Sequence, residues 1–272
     1  MKSRLLVAAV GVPLTFIMLV ILPDLGAAIF CAAISCIAVQ EMYSAVGVKS
    51  LPALVLGCVS ALLITAMAYF GAGAYIALAW CAIYCLLLFF LWVAYYEREK
   101  VFGFAGFGGG LMAGLIIPGG MAALVLLRLG SHGRFAVLLP IIIAYAGDGG
   151  ALFAGMLFGK HKLAPRTSPK KTIEGGIGGL IVAVGLTLLY GVLLRFAFSV
   201  NVNFPMLAAT ALISGLASPL GDLAFSLIKR EFGVKDYGRL LPGHGGALDR
   251  FDSTVFAAPV VYLLLVALNV LG

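Results

Sequence analysis

Nine apolar runs, 5–22, 25–46, 52–71, 74–95, 105–127, 135–158, 176–198, 205–228 and 253–271, take up nearly all of this 272-residue chain. Each is close to the roughly 20 residues that a helix needs to cross a hydrocarbon core. Lipid offers backbone N–H and C=O groups no partner, so runs of this kind fold as helices whose hydrogen bonds close within the segment. Hydrophobic residues are 63% of the chain and charged residues 11%, a balance that excludes a soluble domain. The expected fold is therefore all-α: a polytopic integral membrane bundle of about nine transmembrane helices, with a polar cleft facing the cytoplasm.

Charge is scarce enough that its placement carries the topology. With the N-terminus in the cytoplasm, fifteen of the 18 Lys and Arg residues fall on that side, and Arg128, Arg134 and Arg195 on the other. The positive-inside bias thus predicts a cytoplasmic N-terminus and a C-terminus outside. It also accounts for the formal net charge of +7. Because the cations are divided among loops between spans, membrane lipid is an expected partner and nucleic acid is not. The first run, behind Lys2 and Arg4, reads as a retained helix rather than a cleaved leader. All five cysteines fall inside spans without metal-site spacing and read as packing residues. Glu41, near the end of the second span, is left open between a snorkelling and a bundle-facing position.

Polar chemistry is concentrated beyond residue 104. Asp148 sits among glycines 147, 149 and 150 in the sixth run. A carboxylate at membrane depth costs about 2.5–3.5 kcal/mol on insertion scales, so it is expected to face a partner cation, a polar cavity or water, with a functional cleft preferred over a helix-packing ion pair. Asp222 follows Ser218-Pro219-Leu220-Gly221, which is expected to weaken the helix; Asp222, Ser226 and Lys229 fall on one helical face. Next comes a charged cassette, Ser226 to Asp252, with the turn Gly243-His244-Gly245-Gly246. Asp249 and Asp252 lie three residues apart at the start of the last helix and, with Asp222, offer hard oxygen ligands for Mg²⁺. A second block, Ser168-Pro169-Lys170-Lys171-Thr172 with Glu174, opens the 176–198 run, where a helix N-terminus and two lysines suit an anion.

The cassette residues Ser226, Lys229-Arg230, Lys235-Asp236, Gly238, Pro242, His244-Gly245-Gly246, Asp249-Arg250 and Asp252 resemble the signature of the phosphatidate cytidylyltransferase family. Ala247 stands where that family usually carries a larger aliphatic residue. The block from Ser168 to Gly175 is also similar to the family, with Ile173 in place of an aromatic. The resemblance implies synthesis of CDP-diacylglycerol and pyrophosphate from CTP and phosphatidate, for phospholipid biosynthesis. It implies Asp222 and Asp249 as principal metal ligands, with Asp252 in support. Asp222, Asp249, Lys229 and His244 are then catalytic. Ser168, Lys170, Lys171, Glu174, Ser226, Arg230, Lys235, Asp236 and Arg250 join Asp148 in holding substrate. Mg²⁺ is the expected cofactor, with room for a second cation, and a homodimer follows from the same resemblance. The expected location is a bacterial inner membrane. Residues 1–104 then form N-terminal transmembrane helices, and 105–272 a catalytic bundle with cytoplasmic loops 159–175 and 229–252.

Two other readings remain open. A CTP-dependent polyprenol or phytol kinase would pass the γ-phosphate to an alcohol. A cation-coupled transporter would use Asp148 and Asp222 on broken helices. The chain carries no GxxxxGK[ST] phosphate loop.

Overall fold

The structure is a computed structural model that describes residues 11, 13–96, 102–238 and 245–272. Among these residues eight helices are long and apolar enough to cross a membrane: α1 (Asp24–Ala45), α2 (Leu51–Phe70), α3 (Ala74–Tyr96), α4 (Phe104–Leu129), α5 (Gly133–Phe158), α6 (Ile173–Phe198), α7 (Phe204–Glu231) and α8 (Leu248–Leu268). The protein is thus an all-α, multi-pass membrane protein, and each helix overlaps one of the expected runs. Of the first expected run, 5–22, residues 11 and 13–22 are described; they are helical up to Ile21, the last turn being π-helical over Ile17–Ile21. Two short strands, β1 (Lys162–Ala164) and β2 (Ser168–Thr172), form an antiparallel hairpin between α5 and α6 that the apolar pattern does not reveal.

The helices gather into two compact units. The first holds the described residues up to Leu126 together with those of Ile228–Phe251. Its helix α2 starts at Ser50, whose hydroxyl accepts from Ala53 N at 3.4 Å, and stops at Gly71, held left-handed at φ 67°. Helix α4 passes through a π-helical stretch, Met112–Ile116, within a glycine-rich sequence. Carbonyls near that stretch find side-chain donors on neighbouring helices: Tyr84 Oη donates to Gly110 O at 2.8 Å, and Ser60 Oγ to Gly114 O at 2.6 Å. Bare glycines let those side chains come so close.

The second unit holds Leu127–Leu227 and Asp252–Gly272. Its α5 and α6 pack backbone to backbone: a Cβ on Gly179 would stand 2.6 Å from Gly147 O, and one on Gly150 would stand 2.6 Å from Val182 Cβ. Glycines 147 and 150, on either side of Asp148, therefore serve a helix pair. They do not interrupt α5, which runs without a break from Leu138 to Phe158. Likewise α7 continues through Pro219, whose missing N–H removes one helix hydrogen bond without ending the helix before Asp222. A membrane helix keeps its hydrogen bonds where water cannot compete for them, which tolerates both residue types. Gly179→Leu is expected to wedge the pair apart and lower the thermal midpoint in detergent sharply. Gly185→Ala, with nothing within 4 Å of its added methyl, should leave that midpoint unchanged.

The two ends of α6 carry different structures. Its 26 residues rise about 39 Å at 1.5 Å each, enough to separate two membrane faces. The hairpin sits at its start. Beyond its end, Asn201 N donates to Gly272 O at 3.2 Å and Asn203 N to Val270 O at 3.0 Å, tying the C-terminus to the opposite end.

Candidate active site

In the second unit the hairpin delivers its lysines to a cavity of about 260 Å³. Asp148 from α5, Asp222 from α7 and Lys170 and Lys171 from β2 all line it. Lys171 Nζ donates to Asp222 Oδ2, and Ser226 Oγ donates to Asp222 Oδ1 at 3.2 Å. Helical spacing places Lys229 on the face of Asp222, yet the cation bonded to Asp222 comes from a strand more than fifty residues earlier. Leu152, Leu163, Leu180 and Pro219 supply aliphatic wall, and glycines 147, 176 and 179 leave backbone bare. Carboxylates and ammonium groups against an apolar wall suit an anionic headgroup attached to a hydrocarbon tail.

The hairpin is anchored by the start of α6. Thr172 caps the helix, its Oγ1 accepting from Gly175 N at 3.1 Å, and Ile173 N donates to His161 O at 2.9 Å. Glu174 bends back to the incoming loop. Its carboxylate accepts from Lys160 N at 3.0 Å and His161 N at 3.2 Å, and lies 2.6 Å from His161 Nδ1. Expected to touch substrate, Glu174 is engaged in fastening the loop that carries Lys170 and Lys171. Two of the helix-start N–H groups expected to meet an anion, those of Ile173 and Gly175, are likewise engaged within the block. Ser168 is half-buried in β2, at the end of the register where it faces Ala164. His161 carries no sequence signal beyond its place between two lysines.

In the first unit Asp249 is a nearly enclosed charge of the cassette, its side chain only 4% exposed. Lys229 Nζ donates to its Oδ1 at 2.8 Å, while Tyr237 N and Gly246 N each donate to Oδ2 at 2.9 Å. The Lys229 ammonium also lies 5.3 Å from the centre of the Tyr237 ring. Gly245 adopts φ +83°, and a Cβ there would stand 2.7 Å from Asp249 Oδ2, so the turn requires glycine at this position. Arg230, Lys235, Asp236 and Arg250 are exposed. His244 lies outside the described residues.

Glu41 resolves the choice the sequence left open. It faces the bundle, 7% exposed, and its two carboxylate oxygens accept from Ala247 N at 3.0 Å and Leu248 N at 2.8 Å. An acidic residue in an apolar span was the only signal for it.

Among the described residues no three His, Cys, Asp or Glu side chains converge as a ready-made metal cage. Asp222 and Asp252 belong to the second unit and Asp249 to the first. In the second unit α7 and α8 approach closely beside Asp222, where a Cβ on Gly221 would stand 2.8 Å from Asp252 O. The donors are nonetheless of the right kind for a divalent cation of hard character. Such an ion uses one or two carboxylates and completes its shell with water and phosphate oxygens.

Eight apolar helices and a pocket of lysines and carboxylates define a polytopic membrane protein equipped to hold an anionic group. The profile of the cytidylyltransferase family matches residues 2–268, and the chain belongs to that family. Among similar proteins, a phosphatidate cytidylyltransferase of Staphylococcus haemolyticus is 46% identical over 136 residues, covering 50% of this chain and 51% of the relative. One from Staphylococcus aureus strain COL is 48% identical over 138 residues, covering 50% and 51%. One from Staphylococcus saprophyticus is 42% identical over 147 residues, covering 54% and 55%. The matched segment spans about half the length of these relatives.

Proposed function

We propose that this protein is a CTP:phosphatidate cytidylyltransferase that makes CDP-diacylglycerol. Family membership and the names of the relatives support the reaction class. The observation that carries the reading is the cavity in which Lys170, Lys171, Asp148 and Asp222 meet an aliphatic wall. An oxygen of the phosphatidate phosphate attacks the α-phosphorus of CTP, the bond to the β-phosphate breaks, and pyrophosphate leaves. The lipid phosphate is already anionic at neutral pH, so no serine or cysteine nucleophile and no strong base is called for. Charge neutralisation and alignment do the work.

Lys170 and Lys171 hold phosphate oxygens, and Asp222 and Ser226 orient Lys171. Asp222 and Asp249 are the principal ligands for a divalent cation, Mg²⁺, with Asp252 in support. When bound, that cation neutralises phosphate charge and stabilises the leaving pyrophosphate. His244, Arg230, Lys235, Asp236 and Arg250 complete the nucleotide side of the site, within a catalytic segment 105–272. The site faces the cytoplasm of a bacterial inner membrane, where CTP is, and the C-terminus lies outside. This agrees with the charge bias and with the hairpin and C-terminus marking opposite ends of α6. A homodimer is part of the same reading.

The transporter reading stood on broken helices, and α5 and α7 run unbroken through Asp148 and Asp222. The kinase and the cytidylyltransferase keep different atoms of CTP, which separates them. With phosphatidate as acceptor and Mg²⁺ present, purified protein is expected to move label from the α-phosphate of CTP into lipid, while γ-label leaves as pyrophosphate. Transfer of γ-label to a lipid alcohol, with no α-label in phosphatidate, would establish the kinase instead.

A further inference from the structure

The proposed reaction uses Asp249, and what holds Asp249 in place reaches back to the N-terminal half of the chain. The turn before α8 is pinned by two carboxylates. Asp249 takes Gly246 N and Tyr237 N from within the cassette. Glu41, on α1, takes the next two N–H groups, Ala247 and Leu248. Consecutive amides 246 to 248 are thus shared out between a residue that the reaction uses and one from a helix about two hundred positions away.

The glycines of the cassette fit this arrangement. A Cβ on Gly246 or on Gly238 would overlap the Glu41 carboxylate itself. Both positions are therefore bare because Glu41 lies against the backbone there. The carboxylate is buried and accepts from two amides of the turn, so it serves neither as a solvent-facing charge nor as a cap for its own helix. An acid kept in an apolar span is costly unless its bonds achieve something. Here they fix the entry of α8 and the position of Asp249.

We propose that Glu41 is a positioning residue for cytidylyl transfer: through the 246–248 amides it sets the Asp249 carboxylate. The inference rests on the reading of the protein as a phosphatidate cytidylyltransferase. It gives the N-terminal helices a part in the site that the sequence confines to residues beyond 104.

The test uses the full chain in lipid nanodiscs, with Glu41→Gln, Glu41→Ala, Gly246→Ala and the double variant Glu41→Ala/Gly246→Ala. Amide hydrogen exchange over 245–251 reads the clasp directly, the thermal midpoint reads global stability, and α-label incorporation gives kcat and KM. In Glu41→Ala the exchange of this segment is expected to quicken about tenfold or more, as for a local opening. Its kcat is expected to fall about 10- to 100-fold, the scale of a small misplacement of a reacting group. KM for phosphatidate stays within about threefold, because that lipid is not held by this turn. Glu41→Gln keeps one carbonyl oxygen and recovers part of both effects. Gly246→Ala reproduces the Glu41→Ala pattern, and the double variant loses no more than the worse single change, since both break one clasp.

Unchanged exchange in the folded Glu41→Gln and Gly246→Ala proteins overturns the clasp. Quickened exchange with wild-type kcat overturns the link to the reaction, and so does a loss of activity that only tracks the fraction of folded protein. A wild-type protein that moves no α-label into phosphatidate overturns the reading beneath the inference, and the inference with it. An active wild type with unaffected Glu41 variants overturns the inference alone.

Discussion

Asp222→Asn and Asp249→Asn are each expected to lower α-label incorporation into phosphatidate by about 100-fold or more, the scale of losing one charge-stabilising group from an active site. Both changes preserve volume. At Asp249 the remaining carbonyl oxygen still accepts from Tyr237 N and Gly246 N, while the new NH2 takes the place of the oxygen that accepts from Lys229 Nζ, so the turn is kept and the ion pair is lost. At Asp222 the carbonyl still accepts from Ser226 Oγ. Insertion should therefore stay close to wild type in both, and so should the thermal midpoint of Asp222→Asn; that of Asp249→Asn should fall, because the Lys229 ammonium is left buried and unpaired. Asp252→Asn, in a supporting position, is expected to cost no more than about tenfold. The decisive measurement is initial rate against Mg²⁺ concentration. Near wild-type activity in either folded variant at limiting Mg²⁺ removes that residue from the cation's ligands.

The two lysine–aspartate pairs should respond differently to loss of the lysine. In the Lys229–Asp249 pair the side chains are 12% and 4% exposed. Lys229→Met strands a buried carboxylate, which costs about 3–5 kcal/mol, and the thermal midpoint should drop by many degrees along with activity. In the Lys171–Asp222 pair the side chains are 28% and 23% exposed, and both line an open cavity. Water and lipid headgroups can solvate Asp222 there, so Lys171→Met should cost about 1 kcal/mol or less while still abolishing most turnover. Thermal midpoints of the two variants, measured beside α-label incorporation, check this. Equal destabilisation by both would show that the pocket pair is structural, and that Lys171 serves the fold rather than phosphate.

The eight described spans were legible in the sequence because the bilayer imposes one rule on every segment: about 20 apolar residues with internally closed hydrogen bonds. That rule is local, so run length alone placed α1 to α8. The hairpin at 162–172 escaped it, since a strand reading Ser-Pro-Lys-Lys-Thr carries no hydropathy signal. The broken helices that the transporter reading places at Asp148 and Asp222 did not occur. Glycine and proline are breakers chiefly where water competes for the backbone, and within a membrane bundle close packing decides instead.

For the site, the sequence named the residue types and their blocks. Asp148, Asp222, Lys170 and Lys171 were all expected, and they do share one cavity. Which charge faces which was not legible, because pairing depends on how distant helices turn toward one another. Only the tertiary structure joined Asp222 to Lys171 and Asp249 to Lys229. It also turned Glu174 inward to hold the hairpin. Glu41 makes the same point from the other direction: its sequence environment is an ordinary apolar helix, and its bonds are to amides at 247 and 248. Membrane insertion is determined by each segment's own transfer free energy and so is written locally. The fate of a buried charge is determined by the partner it meets, which exists only once the helices have packed.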